Sequence, residues 1–535
     1  MLWACLLLPS LPLDVFARAA SPAEAAKPLA VGSGGRTPRI VSANTGARDA
    51  GIHPGQLVSA SLALSPGLVL RERNPGAESA ALEAVASWAT QFTPAVALAP
   101  PDAVLAEIGS SLRLFGGLPQ LTTQLSRGAH DLGYAMRFAL APTPSAALLF
   151  ARAEMAEGSR RSRRNRVRLR GKGARLDFSR SSARENEEVK KIEPGPFFPP
   201  MANPQAWLDA LLPLPLSLTE ADPAAVATLA AAGITTFGQA CALPRAALAR
   251  RVGADFVALL DRVRGLVPEL RPSFVPPPIY VGKLDLPAPV ASVDALAFAV
   301  NRLVLELAGW LTGRGLGVVE MSLALAHERY VRVATGVPAT TAGFALAAPA
   351  REPAHLVAVL RERLARIVLP APVEAITLTS KATAPLASRN LGLLPGDEAV
   401  ATVPLLDRLR ARLGEGAVML VAPHAEHRPE RAWRDGKIGD RPRFPGTTEG
   451  VWKTWSAPRP VWLLAEPEPL GHRLEAQPWV LRDGPERIES GWWDGRDVRR
   501  DYFVAENPRG ETVWIYRDHR YGIDDGEWFL HGVFG

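Results

Sequence analysis

Cysteine is almost absent from this sequence: Cys5 and Cys241 are the two present in 535 residues. Two thiols build neither a disulfide framework nor a cysteine-ligated zinc site, so a soluble, reducing setting is expected. No run of about eighteen consecutive apolar residues occurs, which argues against a transmembrane helix. No Gly-x-Ser-x-Gly elbow is found, so nothing points to a hydrolase of that type. The Gly-rich string from Gly32 to Thr37 lacks the Lys-Ser/Thr pair of a phosphate loop and reads as a turn. No Asp-Glu pair stands anywhere in residues 1–155. The amino terminus lacks a basic segment ahead of its apolar run, because the first cation is Arg18; that speaks against a signal peptide.

What is present fits a large globular chain. Hydrophobic residues make up 47% and charged residues 21%, with a mean hydropathy of +0.03. This composition excludes both a disordered chain and a membrane bundle, and the length suggests three or four domains. The net charge of +7 is unevenly held. From Arg160 to Arg184 stand ten Arg and one Lys against one acid, Asp177, so this stretch carries +10 and leaves −3 for the rest. Such a segment reads either as a grip on a polyanion or as a solvated insert.

The apolar run Leu2–Leu8 predicts a buried first strand that turns at Pro9 and Pro12 into a helix through Asp14 and Arg18. Further strands are expected at Ala95–Leu98, Leu112–Phe115 and Arg137–Leu140, with helices at Ala77–Gln91 and Pro144–Ala156. Residues 158–203 turn basic, then acidic, then Pro-rich, the signature of a disordered insertion. Residues 205–268 read as short helices: Thr219 caps Pro223–Ala232, Gly233 ends it, and Pro244 opens Arg245–Arg251. A βαβαβ module follows, with strands Ile279–Leu286, Val318–His327 and Val373–Thr379 and helices Val293–Arg314 and Pro353–Ile367. Nine of the thirteen tryptophans lie at or after Trp433, in a tail patterned as a small β domain.

Several strings together resemble the Y-family (UmuC-type) translesion DNA polymerases and their bacterial offshoot, the ImuB proteins. They are LWACLLLPSLPLDVFARA at the start, NTGARDAGIHPGQLVSASLAL, AEIGSSLRLFGG, APTPSAALLFARA and LAAAGITTFGQACALPRAALARRVG. The tail adds APHAEHRPERAW, RPVWLLAEPEPL and GPERIESGWWDG with RDYF and WFLHGVFG. The resemblance implies an α/β and α+β multidomain architecture: a Y-family polymerase-like right hand with palm, fingers, helical thumb and βαβαβ little finger, plus a C-terminal β-rich extension. The expected divisions are a palm/fingers-like domain over 1–157, the insertion 158–203 and a helical, helix-hairpin-helix-like thumb over 204–272. A little-finger-like module over 278–380, a linker over 381–400 and a partner-binding, Trp-rich extension over 401–535 complete the chain.

Polymerase chemistry needs two Mg²⁺ ions held by carboxylates from neighbouring strands. The resemblance places an Asp early in the first strand and an Asp-Glu pair in the second palm motif. Here the first strand has no acid before Asp14, and the pair is aligned with Gly109 and Ser110. The resemblance then implies a non-catalytic, cofactor-free adaptor in DNA-damage-induced mutagenesis (the SOS response). It would be cytoplasmic and nucleoid-associated. Its implied partners are DNA, the sliding clamp, an error-prone C-family DNA polymerase and a RecA-like accessory protein. DNA contacts are expected from Arg48, from the amides near Gly233 and from Arg163, Arg164, Arg166 and Arg168. A degenerate clamp-binding peptide is expected at Ser388, Leu391, Leu393 and Leu394. Two alternatives stand: an active translesion polymerase using Mg²⁺ at Asp14 and Glu107, and a protein-binding hub without DNA affinity. The His424–His427 pair lacks a third ligand and reads as structural. The C-terminal tryptophans read as β core or protein interface ahead of a base-stacking platform.

Overall fold

A computed structural model describes residues 1–20, 22–156, 204–328, 336–386, 399–436, 459–471, 478–519 and 526–534. The basic and Pro-rich insertion and the clamp-binding peptide lie outside the described residues. The chain divides into two compact units, 1–412 and 413–535.

Unit one begins as expected, with β1 (Trp3–Leu7) and α1 (Leu11–Ala17). A short α2 (Pro22–Ala25) leads to the fingers-like layer: β2 (Leu29–Gly32), β3 (Ile40–Ala43), α3 (Thr45–Asp49), α4 (Val58–Leu64) and β4 (Val69–Glu72), with sheet order β3-β2-β4. Asn44 organises this layer. Its side chain accepts from Ala47 N at 2.9 Å, capping α3, and from Leu29 N at 3.0 Å, while it donates to Lys27 O at 2.7 Å.

The palm-like part continues with α5 (Pro75–Ala89), β5 (Val96–Ala99), β6 (Ala103–Glu107), α6 (Leu118–Leu132), β7 (Arg137–Ala141) and α7 over 144–156. Its antiparallel sheet runs β5-β6-β1-β7 and is buried on both faces. Ala4, Leu6, Val104, Ala106 and Leu140 pack with α1, α5 and α6. Cys5, Leu7, Ala103, Leu105 and Ala139 pack into the cluster formed with α7 and the thumb-like helices. One expectation fails here. Leu112–Phe115 is a turn, and the strand is Ala103–Glu107, whose AVLAE run was not read as one. Alanine has low strand propensity, but a site buried on both faces between β1 and β5 overrides it.

The thumb-like helices are α8 (Pro204–Leu211), α9 (Pro223–Ala231), α10 (Phe237–Cys241), α11 (Arg245–Val252) and α12 (Ala254–Arg264). The cap of α9 is Asp222, which accepts from Ala224 N; the Thr219 hydroxyl instead donates to Leu216 O. The next module holds β8 (Val281–Val290), α13 (Val293–Arg314), β9 (Leu316–His327), β10 (Ala339–Ala350), α14 (Pro353–Leu364) and β11 (Val373–Pro385). Its sheet order is β10-β9-β11-β8, so the expected βαβαβ is βαββαβ. β10 was missed because ATTAGFALAAPA carries few β-branched or aromatic residues and is held by its pairing with β9. The segment Ala295–Arg314 is long and apolar enough to cross a membrane, yet Leu296, Leu303, Leu307 and Leu311 are core residues here.

Helix α15 (Ala399–Leu413) moves the expected boundary at 401. Its buried Asp407 accepts from Ala347 N at 2.7 Å and from His355 Nε2 at 3.0 Å, which ties it to the preceding module. Unit two then contains the hairpin β12 (Leu420–Pro423) and β13 (Trp433–Gly436). It also holds a five-stranded sheet of β14 (Trp462–Pro469), β15 (Val480–Ser490), β16 (Val498–Glu506), β17 (Thr512–Asp518) and β18 (Trp528–Val533), ordered β14-β18-β17-β16-β15. Stacked Tyr502 and Trp514, with ring centroids 4.0 Å apart, lie in its core.

The Asn44 bonds give a direct test of the fingers-like layer. Asn44→Ala should cost about 1–2 kcal/mol in a thermal or denaturant melt, because it removes a cap and leaves backbone groups unpaired. Asn44→Asp, which keeps the acceptor but loses the donor to Lys27 O, should lie between the two.

Candidate functional site

A two-metal site between palm strands needs acids facing one another across them. The β1–β6 register pairs Trp3 with Glu107, Ala4 with Ala106, Cys5 with Leu105, Leu6 with Val104 and Leu7 with Ala103. No pair holds two carboxylates. Asp14 and Glu107, the alternative metal pair, are not brought together: Glu107 stands beside the first residue of β1, and Asp14 follows the last. The strand between them is about 13 Å long at ~3.3 Å per residue.

Both acids are otherwise engaged. Glu107 accepts from Leu2 N at 2.9 Å, Gly109 N at 3.1 Å and the Ser110 hydroxyl at 3.0 Å. Burial alone would raise its pKa, but these bonds outweigh it and hold the carboxyl below its ordinary range. Asp14 is buried beside Ala135 N, and burial pushes its carboxyl up to about 7 against the opposing hydrogen bond and the charges of Arg18 and Arg302. Gly109 and Ser110 lie in a 3₁₀ turn against the start of β1. A Cβ on Gly109 would stand 2.7 Å from Glu107 Oε1 and 3.1 Å from Leu2 N, so a side chain there would displace the Glu107 carboxylate from its bonds.

The carboxylate that does stand at the carboxyl end of β1 is Asp102, which the sequence reading did not single out. It ends the β5–β6 hairpin, and its carbonyl accepts from Leu8 N at 2.7 Å. Its carboxylate lies 3.7 Å from the Arg152 guanidinium of α7, and burial raises its pKa. A strand correctly assigned to Ala103–Glu107 would have exposed it. Among the described residues no three His, Cys, Asp or Glu side chains gather to hold a metal. One carboxylate facing a guanidinium does not fit a two-Mg²⁺ centre.

The expected DNA contacts fare unevenly. Arg48 is exposed in the last turn of α3. Gly233 has the positive φ of a turn glycine (+79°), but its amide donates to Ala230 O, and the Ile234 amide donates to Leu229 O. The Thr235 and Thr236 amides both donate to Gln239 Oε1. The Gly233 turn therefore has no spare amides for a phosphate, which corrects that expectation. The neighbouring turn at Gly253 differs: it opens α12, whose first N–H groups lack intrahelical acceptors, and exposed Arg250 and Arg251 precede it. Arg163, Arg164, Arg166, Arg168, Ser388, Leu391, Leu393 and Leu394 lie outside the described residues.

In unit two the tail strings converge on Arg428, which is 2% exposed. It forms a fork to Asp494 at 2.8 and 3.1 Å and bonds Glu426 at 2.7 Å and Arg496 O at 3.0 Å. Arg431 adds a second bond to Asp494 at 2.7 Å. Hydrogen bonds from Arg428 hold both Glu426 and Asp494 down to about 2. Gly491 must be glycine: its φ is +88°, and a Cβ would sit 2.5 Å from both Arg428 Nη1 and Arg496 O. The clamp fixes the turn that presents Trp492 and Trp493, which are 80% and 56% exposed and edge to face at 5.5 Å. His424 and His427 flank Glu426 in an irregular turn and share no ligand-like geometry among the described residues. Behind the clamp, Arg500 donates to Glu430 at 3.1 Å and to the Tyr502 hydroxyl at 3.0 Å, and that hydroxyl lies 2.8 Å from His531 Nδ1. Burial lowers His531 to about 4, so the ring is neutral at neutral pH and accepts at Nδ1.

The fold and these sites define a polymerase-like palm, fingers, thumb and little-finger architecture with a β-rich tail. Residues 14–152 match the model of the impB/mucB/samB family. Over 523 aligned residues, the chain is 29% identical to Protein ImuB of Caulobacter vibrioides strain NA1000 / CB15N, covering 91% of this chain and all of the relative. Protein ImuB of strain ATCC 19089 / CIP 103742 / CB 15 matches to the same extent. Over its length the chain is thus similar to UmuC-like proteins of the ImuB type. Among solved structures, a Y-family DNA polymerase chimera aligns with 71% of this chain and 98% of its own at 12% identity and a TM-score of 0.36. DinB from Sulfolobus solfataricus aligns over the same shares at 12% identity and a TM-score of 0.33.

Asp14 in unit one and His531 in unit two should make opposite contributions to the pH dependence of stability. Asp14 has a native pKa of about 7, above its ordinary 3.8, so its contribution to unit one is fully present below about pH 4 and falls as pH rises towards 7. Asp14→Asn should flatten that slope in denaturant melts. His531, lowered from 6.5 to about 4, makes unit two lose stability as pH falls through that window. Glu426 and Asp494 add a further loss as pH falls from the ordinary carboxylate range towards 2. Tryptophan fluorescence, dominated by unit two, reads the second effect, and Glu426→Gln should remove part of its acid limb.

Proposed function

We propose that this protein is a non-catalytic adaptor in DNA-damage-induced translesion synthesis. It binds primer-template DNA and links the sliding clamp, an error-prone C-family polymerase and a RecA-like accessory protein. It works without a bound metal, in the cytoplasm at the nucleoid. The observation that carries this reading is the β1–β6 register, in which no two carboxylates face each other, with Arg152 against the one acid at the end of β1. A guanidinium neutralises a carboxylate without offering the open coordination positions that phosphoryl transfer needs.

Support for DNA binding comes from surfaces a duplex backbone could approach. The face of the β8–β11 sheet opposite its helices carries small side chains in cross-strand rows: Thr341, Ala324, Thr377 and Lys283 in one, Gly343, Ser322, Thr379 and Val281 in the next. The Gly253 turn with Arg250 and Arg251 offers amides and cations to a phosphate, and Arg48 adds an exposed charge. The basic residues Arg163, Arg164, Arg166 and Arg168 supply the long-range attraction. The clamp contact is assigned to the peptide with Ser388, Leu391, Leu393 and Leu394. Trp492 and Trp493 on their fixed turn are the protein-partner anchor, since rigid Trp with Arg neighbours is the usual composition of an interface hot spot.

Primer extension with Mg²⁺ or Mn²⁺, run beside a gel shift on the same primer-template at two salt concentrations, tests the reading. Binding without extension is expected; robust extension overturns the non-catalytic assignment. Arg250→Ala with Arg251→Ala should weaken binding and reduce the salt slope by about one unit per lost phosphate contact. Changing Leu391, Leu393 and Leu394 to Ala should abolish clamp pull-down while leaving the gel shift unchanged.

A further inference from the structure

Strand β10 ends the sheet of the βαββαβ module, and its outer edge is open. In the order β10-β9-β11-β8 it pairs on one side only, with β9. Backbone groups of successive residues in a strand point to opposite sides, so one bond fixes which set points where. The His327 amide donates to Pro338 O at 3.2 Å across this pair. Thr340, Ala342 and Phe344 therefore turn their N–H and C=O groups towards β9, and Thr341, Gly343 and Ala345 turn theirs away from the sheet. Ala347 shares their parity, and its amide is met from outside: Asp407 of α15 accepts from it at 2.7 Å. That contact closes the edge beyond Ala345. Among the described residues no group pairs with the outward amides of Thr341, Gly343 and Ala345, and all three residues are exposed.

Open edges are normally guarded by charge or proline. The other long edge strands of this chain follow that rule: β8 carries Lys283 and Asp285, β14 carries Glu466 and Glu468, and β15 carries Arg482 and Glu489. β10 does not. Its sequence ATTAGFALAAPA holds no charge at all and no proline before Pro349. An edge without charge fits one occupant best. A foreign strand can be matched by opposite charge, but a strand that pairs with its own copy about a two-fold axis brings any charge near the axis against its like. The pairing that joins the outward groups sets Gly343 opposite its own counterpart and Thr341 opposite Ala345, all small on the open face. It makes about six backbone hydrogen bonds. On the other face Ala342, Phe344 and Leu346 are already buried in the module's core.

We infer that two copies of this chain associate by antiparallel pairing of their β10 edges, with the two-fold axis at Gly343. The two module sheets then form one continuous sheet, and their helix-free faces lie side by side on the same side of it. An interface of one strand per copy is small, so the dimer is weak and forms as concentration rises.

Sedimentation velocity of the full chain over a concentration series tests this, with charge exchange at the axis. A Cβ on Gly343 meets nothing within 4 Å, so Gly343→Lys and Gly343→Glu should both fold. Each alone should weaken the dimer by about tenfold or more, because like charges then meet across the axis. An equimolar mixture of the two variants should restore it. Gly343→Pro, which removes an outward amide and leaves the bonds to β9 intact, should also weaken it. A full chain that stays monomeric throughout, a dimer indifferent to these substitutions, or a mixture that fails to recover would each overturn the proposal. The measurement uses neither DNA nor another protein, so its outcome is independent of the adaptor reading.

Discussion

The palm strand β1 is buried on both faces, and most of what is specific to this protein follows from that. α1, α5 and α6 cover one side of the sheet, while α7 and the thumb-like helices cover the other. A strand in that position must be apolar throughout, because an unpaired carboxylate buried between two helical layers costs several kcal/mol or takes up a proton. Cys5, Leu6 and Leu7 are fully buried, and the Cys5 thiol is pushed far above its ordinary range by burial.

Charge in this molecule is placed where geometry can neutralise it. Asp102 faces Arg152, Arg18 faces Glu306, Arg271 lies between Glu220 and Glu269, and Arg428 is held by Asp494 and Glu426. Each of these arginines meets at least one acid distant in sequence, and each such pair fixes a register more than it adds stability. The Arg428 clamp uses that register to hold two tryptophans outward on a turn where only glycine fits. Arg18 and Glu306 use theirs to set how the module meets the palm.

Much of the fold was legible in the sequence. The run Leu2–Leu8 gave β1, the proline-punctuated helices gave α9 and α11, and the 22-residue α13 spans Val293–Arg314 as its pattern predicts. The misses share a cause. β6 and β10 are alanine-rich strands whose pairing partners, not their own propensity, make them strands. Missing β6 hid Asp102, which stands at its start. The Gly233 turn was recognised, but its phosphate role depended on free amides, and only the hydrogen bonds show that they are taken.

By itself, then, the sequence determined the order of modules, the apolar character of the first strand, the uneven charge and the kinship of the tail strings, because these are written in local composition and spacing. Tertiary structure decided which acids meet, which amides remain free, that α15 belongs to the first unit, and that two distant strings clamp one tryptophan turn. Those outcomes depend on register across strands and on contacts between residues dozens to hundreds of positions apart, such as Arg428 with Asp494 and Arg18 with Glu306. Spacing along a chain does not encode them.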